Sequence, residues 1–254
     1  MTILGISNPF NAPVYHEETV TSTMEISRRL ALDGEVHGTV ITADFQEAGR
    51  GRVSGRQWHM DKKLNLPFTI LLRYSRIEDI PRALTLRAGL AVSLAIEDFA
   101  PFLQGLVLVK WPNDIMINAK KAAGILCEAV TGDVFLGIGI NAAQKEFPVN
   151  LRGKATSIAL EVNNELDEID VLLEKVLKWL YDELEDPAIE NWKSRLEQRL
   201  YKKGEEVVFL DGAADSGKEI KGRLTGIGDS GELLIVPRRE IQARSFITGE
   251  LSFS

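Results

Sequence analysis

The spacing of apolar positions changes along this chain, and each change marks a different kind of element. Residues 19–30 follow a polar start and predict a short helix, with the Ser22 or Thr23 hydroxyl satisfying free backbone donors near its N-terminus. The β-branched run at 39–43 predicts a strand, and so does the apolar stretch 65–73. Between 83 and 99, Leu84, Ala88, Ala91, Ala95 and Phe99 recur at helical spacing and predict an amphipathic helix. The apolar residues 106–109 predict a buried strand that ends at Lys110. Further strands are expected at 115–117, 122–128 and 134–141, with turns at 118–121 and 131–133.

Residues 167–184 place Ile169, Leu172, Leu173, Val176, Leu177, Leu180 and Leu184 on one helical stripe, and Pro187 separates a second helix at about 188–200. Beyond Gly204 the period shortens. Strands expected at 207–210, 220–227, 232–236 and 241–247 alternate with turn residues, the pattern of a small β-barrel of about 50 residues, too few to bury a core alone. The expected organisation is an α+β main domain, residues 1–200, with a barrel docked on it at 201–254.

Composition narrows the class. The chain has 254 residues, 44% hydrophobic and 26% charged, as in ordinary soluble globular proteins. No run approaches the roughly 18 apolar residues of a membrane-spanning helix, so no membrane association is expected. Residues 1–11 lack the basic start and apolar run of a secretory signal. A single cysteine, Cys127, excludes an internal disulfide and fits a reducing compartment, so the expected location is cytoplasmic. A net charge of −7 without a long basic block argues against nucleic acid as a partner. His16, His37, His59 and Cys127 lack metal-ligand spacing.

Two stretches carry candidate chemistry. In the first, Gly49, Gly51 and Gly55 interleave with Arg50, Arg52 and Arg56 between Gln46 and Trp58. Glycines let a backbone approach a ligand closely, and arginines bring permanent planar cations suited to phosphate oxygens. A mobile loop closing over a phosphate-bearing ligand is one reading; a solvated turn with incidental arginines is the other. Neither the P-loop nor the Rossmann fingerprint is present. In the second stretch, Lys110 ends an apolar strand and is followed by Trp111, Pro112, Asn113 and Asp114. A lysine at the rim of a core is a strong partner for carboxylate or phosphate. It can equally be a snorkelling side chain before a turn.

Taken in order, Gln46, Gly49-Arg50-Gly51-Arg52 and Trp58, then Lys110-Trp111-Pro112-Asn113-Asp114, then Lys121-Ala122-Ala123-Gly124-Ile125-Leu126, then Gly137-Ile138-Gly139-Ile140-Asn141, resemble the motifs of biotin–protein ligases. The resemblance runs from about Ser22 to the C-terminus. It implies an α+β fold, a mixed-sheet catalytic domain of the biotin/lipoate ligase type with a small C-terminal SH3-like β-barrel. It also implies a reaction: biotin and ATP give biotinyl-5′-AMP and pyrophosphate, and biotin then passes to a lysine of a biotin carboxyl carrier domain of acetyl-CoA carboxylase or a related carboxylase. Mg²⁺ is expected with ATP, with no ligands identifiable. The resemblance is compatible with a homodimer.

By the same resemblance, Lys110, Arg50 and Arg52 are catalytic. Biotin would be held by Ser22, Thr23, Gln46, Gly49, Arg50, Gly51 and Lys110, and by backbone groups of the strand at Gly124 and Leu126. ATP would meet Arg50, Gly51, Arg52, Trp58, Lys110, Asn113 and Asn141. For Trp58 a plain core aromatic is the alternative, and for Asn113 and Asp114 turn chemistry. Cys127 could serve as a nucleophile, although on an apolar strand a cysteine behaves as a small hydrophobe.

The chain departs from the family pattern in places. Met24 follows Ser22-Thr23 where the family often has asparagine. After Trp58 only Asn65 and Leu66 persist of the usual Ser-Pro-x-Gly-x-Asn-Leu-Tyr, and one extra residue precedes Trp58. Pro67 within a strand pattern points to an edge or a bulge. The helix-turn-helix extension of repressor-type members is not in this sequence, so control of transcription through DNA is not expected. A lipoate ligase or octanoyltransferase on the same fold is one competing reading, and a non-catalytic biotin-binding protein is another.

Overall fold

The two longest apolar runs pair with each other and form the middle of the main sheet. In this computed structural model, which describes residues 1–53, 55–166, 168–186, 191–212 and 217–252, eight strands join in that sheet. They are β1 (Thr2–Ile3), β2 (Val14–Glu17), β3 (Thr39–Ala43), β4 (Asn65–Arg73), β5 (Val107–Lys110), β6 (Asp114–Ile117), β7 (Lys120–Val130) and β8 (Asp133–Asn141). Their order is β1-β2-β3-β4-β8-β7-β6-β5. Only β2 and β3 run parallel, so the sheet is mixed as expected. Tight turns close two of the hairpins. Asn118 and Ala119 (φ 48° and 61°) join β6 to β7, and Thr131 and Gly132 (φ 50° and 91°) join β7 to β8. Left-handed conformation at both central residues matches the right-handed twist of the flanking strands.

Helices α1 (Thr23–Leu32), α2 (Leu84–Phe99), α3 (Ile158–Val162), α4 (Ile169–Leu184) and α5 (Trp192–Gln198) complete the main unit. Side chains alternate between the faces of a strand, and this alternation divides the core. Phe68, Ile70, Leu72, Leu136 and Ile138 belong to the large cluster beneath α2 and α4. Leu71 and Phe135 belong to a small cluster on the opposite face, with Met24 and Ala31 of α1. The α1 face is therefore only partly covered. Beside α1 the sheet presents Gly124, Gly137 and Gly139, and there the site lies.

Pro67 lies neither on an edge strand nor in a bulge, contrary to expectation: β4 is flanked by β3 and β8, and its register with β8 is unbroken. The reason is local. Pairing with β3 ends at Thr42 opposite Phe68, so the β3 side of Pro67 is already open. Its carbonyl accepts a 2.8 Å bond from Thr42 Oγ1 there, and the missing N–H faces the same gap.

The C-terminal residues form a second, antiparallel sheet of β9 (Glu206–Asp211), β10 (Lys218–Ile227), β11 (Leu233–Pro237), β12 (Arg244–Phe246) and β13 (Gly249–Leu251), in the order β12-β11-β10-β9-β13. It docks through Trp111, whose indole Nε1 donates to the Gly231 carbonyl at 3.0 Å and whose ring meets Phe209 edge-on at 5.9 Å. One hydrophobic cluster runs through both sheets. The helix expected at 188–200 begins, among the described residues, at Trp192; positions 188–190 and Asp167 lie outside them. No described helix is long and apolar enough to cross a membrane.

Candidate functional site

The glycine–arginine stretch folds as a narrow ribbon. Gly51 N–H donates to the Arg56 carbonyl and Trp58 N–H to the Gly49 carbonyl, both at 2.9 Å, and Arg50 bridges Gln57. Ser54 lies outside the described residues. The ribbon brings Trp58 flat onto the bare part of the sheet. A Cβ at Gly139 would stand 2.8 Å from the indole Cε2, and one at Gly124 3.1 Å from Cζ3. Close approach of the ring is thus the physical reason for glycine at 124 and 139.

Two hollows share this ring as a wall. The smaller holds about 580 Å³ including space open to solvent. Its polar end is a short network: Gln46 Oε1 accepts from Thr23 N–H at 2.8 Å and Thr23 Oγ1 at 3.0 Å, and the Thr23 and Thr69 hydroxyls are 2.9 Å apart. Its apolar side includes Met24 and Leu126. Ser22 is the N-cap residue of α1, but its hydroxyl makes no capping bond, which corrects the expectation that it serves the helix. It is buried on the wall of the hollow instead.

The larger hollow, about 1,320 Å³ including space open to solvent, is lined with cations: Lys110, Arg52, Arg56, Lys121 and Lys154. Lys110 is only 2% exposed. Burial pushes its pKa down to about 8, against the opposing pull of Asp114 and Glu250 and with added repulsion from Lys121 and Lys202. Lys121 pairs with Asp114 at 2.5 Å and stands 5.6 Å from the Trp58 ring centre. The ribbon is tied to the second sheet: Arg56 forks onto Glu250 at 2.7 and 3.1 Å, and Arg52 Nη2 donates to the Gly249 carbonyl at 3.0 Å. Burial disfavours the Glu250 carboxylate, yet the Arg56 hydrogen bonds and the fields of Arg56, Lys110 and Arg52 outweigh it and hold its pKa below the ordinary value.

The expected site residues converge here, with distinctions. Gly51, Arg52, Trp58 and Asn113 line both hollows, whereas Arg50 lines only the smaller and faces Glu25 at 3.7 Å. Gly49 lines neither and packs behind Gln46 and Trp58. Asn113 and Asn141 reach the larger hollow, but their amide groups hold backbone: Asn113 Nδ2 donates to Ile125 O at 2.7 Å, Asn141 Nδ2 to Thr156 O at 2.9 Å. The backbone groups expected of Gly124 and Leu126 are not free. Ile125 bonds to Asn113 on the β6 side, through its N–H at 2.9 Å and its carbonyl, so strand alternation turns Gly124 and Leu126 toward their partners Gly139 and Gly137 in β8. What they present to the hollow is a bare Cα and a side chain.

Lys154 and Glu250 were not picked out from the sequence, and Lys121 and Arg56 were named within their motifs but given no role. Lys121 opens a recognisable motif and Arg56 ends the loop, so both had a signal. Glu250 lies 194 residues from Arg56 with none. Cys127 lines neither hollow and packs against the main core, which argues against a nucleophile, and burial pushes its thiol up to about 11. At pH 8 its thiolate fraction is on the order of 10⁻³. Cys127→Ala should leave activity within about twofold of wild type, and timed alkylation should find the thiol slow to react.

The profile of the biotin/lipoate A/B protein ligase family matches residues 17–144. The bifunctional ligase/repressor BirA of Bacillus subtilis is 37% identical over 170 residues, covering 63% of this chain and 50% of that protein. The biotin–[acetyl-CoA-carboxylase] ligase of Mycobacterium tuberculosis is 32% identical over 145 residues, covering 56% of this chain and 52% of its own. The chain thus spans about half the length of these curated relatives. Among solved structures, the Aquifex aeolicus biotin protein ligase in complex with biotin and ATP superposes with a TM-score of 0.78 at 31% identity, covering 94% of this chain and 97% of that one.

Proposed function

Since this chain belongs to the biotin/lipoate A/B protein ligase family, we infer that it activates biotin with ATP and transfers the biotinyl group to a lysine of a carboxylase's biotin carboxyl carrier domain. The observation that carries this reading is the meeting, at the shared wall of Trp58 and Lys121, of a small hollow with a Thr–Gln polar end and a larger one lined with cations. Biotin occupies the first, its ring system hydrogen-bonded by Ser22, Thr23 and Gln46 and its valeryl chain against Leu126. The triphosphate occupies the second, facing Lys110, Arg52 and the flanking lysines, with Asn113 and Asn141 holding the strands around it.

A biotin carboxylate oxygen attacks the α-phosphorus, the bond to the bridging oxygen breaks, and pyrophosphate leaves. Negative charge on the phosphoryl oxygens grows in that step, and Lys110, itself buried, offsets it together with the exposed Arg50 and Arg52. The carrier lysine then attacks the acyl carbon and AMP departs. Mg²⁺ would accompany ATP and help neutralise its phosphates; no group of three or more His, Cys, Asp or Glu side chains that could hold it is found among the described residues. A cytoplasmic location suits the carrier and the free thiol. Residues 1–200 and 201–254 act as two units, the second holding the ribbon through Gly249 and Glu250.

Pyrophosphate release with ATP tests the reading, using biotin, lipoate and octanoate in separate reactions. Release with biotin alone is expected. Release with lipoate or octanoate instead would move the assignment to the aliphatic acyl ligases. A rise in melting temperature with biotin but no pyrophosphate would leave a binding protein without chemistry.

A further inference from the structure

Lys110 ends β5, and β5 is the last strand of the main sheet, so its outer backbone groups need partners from elsewhere. The segment leaving α5 supplies them. Val109 N–H donates to the Arg199 carbonyl at 2.8 Å, and the Val109 carbonyl accepts from Tyr201 N–H at 2.9 Å, a parallel bridge centred on Leu200. The residue next to Lys110 is therefore clamped through both of its backbone groups. The clamp is itself fixed by one carboxylate. Arg199 Nη1 and Nη2 donate to Glu97 Oε1 and Oε2 at 3.2 and 2.8 Å, and Gly105 N–H donates to Glu97 Oε1 at 2.9 Å. Gly105 lies just before β5, so Glu97, in the last turn of α2, holds both the entry to that strand and its outer edge. It is 7% exposed, and neither member of the pair lines either hollow.

A buried ion pair is a poor device for stability alone, since well-packed apolar residues often serve as well or better; its fixed geometry is what apolar side chains do not replace. We propose that Glu97 and Arg199 are positioning residues for adenylation: through residues 199–201 and Gly105 they set where β5 delivers Lys110. The proposal rests on the role assigned to Lys110 above.

The test uses the full chain with two conservative variants. Arg199→Lys keeps the charge but loses the two-pronged fork, and Glu97→Gln keeps the shape and an acceptor for Gly105. With both folded, kcat for pyrophosphate release should fall on the order of tenfold to a hundredfold, while biotin affinity by calorimetry stays unchanged. Arg199→Lys should retain more activity than Arg199→Met. A third readout needs no substrate: the pH profile of Lys110 acylation by an amine reagent, read by peptide mass. The charged groups acting on Lys110 are Asp114, Glu250, Lys121 and Lys202. If the strand loosens, water reaches the amine and the midpoint should rise toward that of an ordinary lysine. Unchanged kcat and an unchanged Lys110 profile in the folded variants would overturn the proposal. So would a parallel loss of kcat, biotin affinity and melting temperature, or failure of both variants to fold, because the pair would then be a folding element only. If the wild-type chain released no pyrophosphate, the functional reading would fail, and the acylation profile would still decide the positioning claim.

Discussion

Lys110→Met is expected to reduce pyrophosphate release by about a thousandfold while making the protein more stable at neutral pH. The first effect follows from placing a preorganised cation where charge develops, an arrangement whose removal typically costs 10²- to 10³-fold or more. The second follows from burial. The wild-type protein carries an ammonium that is 2% exposed, and its pKa has fallen from 10.5 to about 8. A lysine whose folded pKa lies below its unfolded value destabilises the fold wherever it is protonated in the unfolded chain. The penalty is full below about pH 8 and fades as pH rises toward the unfolded value. At roughly 1.4 kcal/mol per pH unit, it is at most about 3–4 kcal/mol. Methionine fills similar volume without charge, so the variant should melt several degrees higher at pH 7, and the difference should vanish in alkali. Activity carries the opposite pH sign. Only protonated Lys110 offsets phosphate charge, so kcat/KM for ATP should fall as pH rises through about 8. The kcat limb should lie higher, because bound triphosphate favours the ammonium. Equal pyrophosphate release by wild type and variant would remove Lys110 from the chemistry; a variant that is less stable at neutral pH would contradict the burial argument.

The parts of the fold that could be read from sequence were those fixed by local pattern. β3 and β4 appear at the residues expected, because a β-branched run and a long apolar run admit few alternatives. The missed elements lacked such a pattern. In β2 only Val14 is buried; β13 has three residues, and α3 has five with a start fixed by the Ser157 cap onto Leu160 N–H. Pro67 was misjudged because its tolerance depends on where β3 stops, a matter of register that its neighbours do not encode. The site divides in the same way. Lys110, Trp58 and the glycines sit in motifs with text and order. Glu250 reaches Arg56 only after the second sheet docks, and the Glu97–Arg199 clamp spans 102 residues. Long-range contacts of this kind leave no local signature.

Gly139→Ala should damage the site far more than Gly137→Ala, although the two glycines stand two residues apart on one strand face. At Gly139 an added Cβ meets Trp58 Cε2, Cζ2 and Nε1 at 2.8, 3.0 and 3.1 Å. An indole moves as a rigid plate, so the whole wall between the two hollows must shift, and with it the ribbon carrying Arg52. At Gly137 the nearest atom is Met24 Cε at 2.9 Å, the free end of a side chain with several rotatable bonds that can give way. Overpacking costs about 1–3 kcal/mol where neighbours cannot yield, and a displacement near 1 Å in a reacting pair can cost on the order of a hundredfold in rate. The expected result is therefore a loss of tenfold to a hundredfold in kcat/KM for pyrophosphate release with Gly139→Ala. The Gly137→Ala loss should stay within about threefold, and both variants should fold. Steady-state kinetics on the pair, with tryptophan fluorescence reporting the Trp58 environment, would check it. Equal losses in the two variants would mean that Trp58 is not the wall on which both hollows depend.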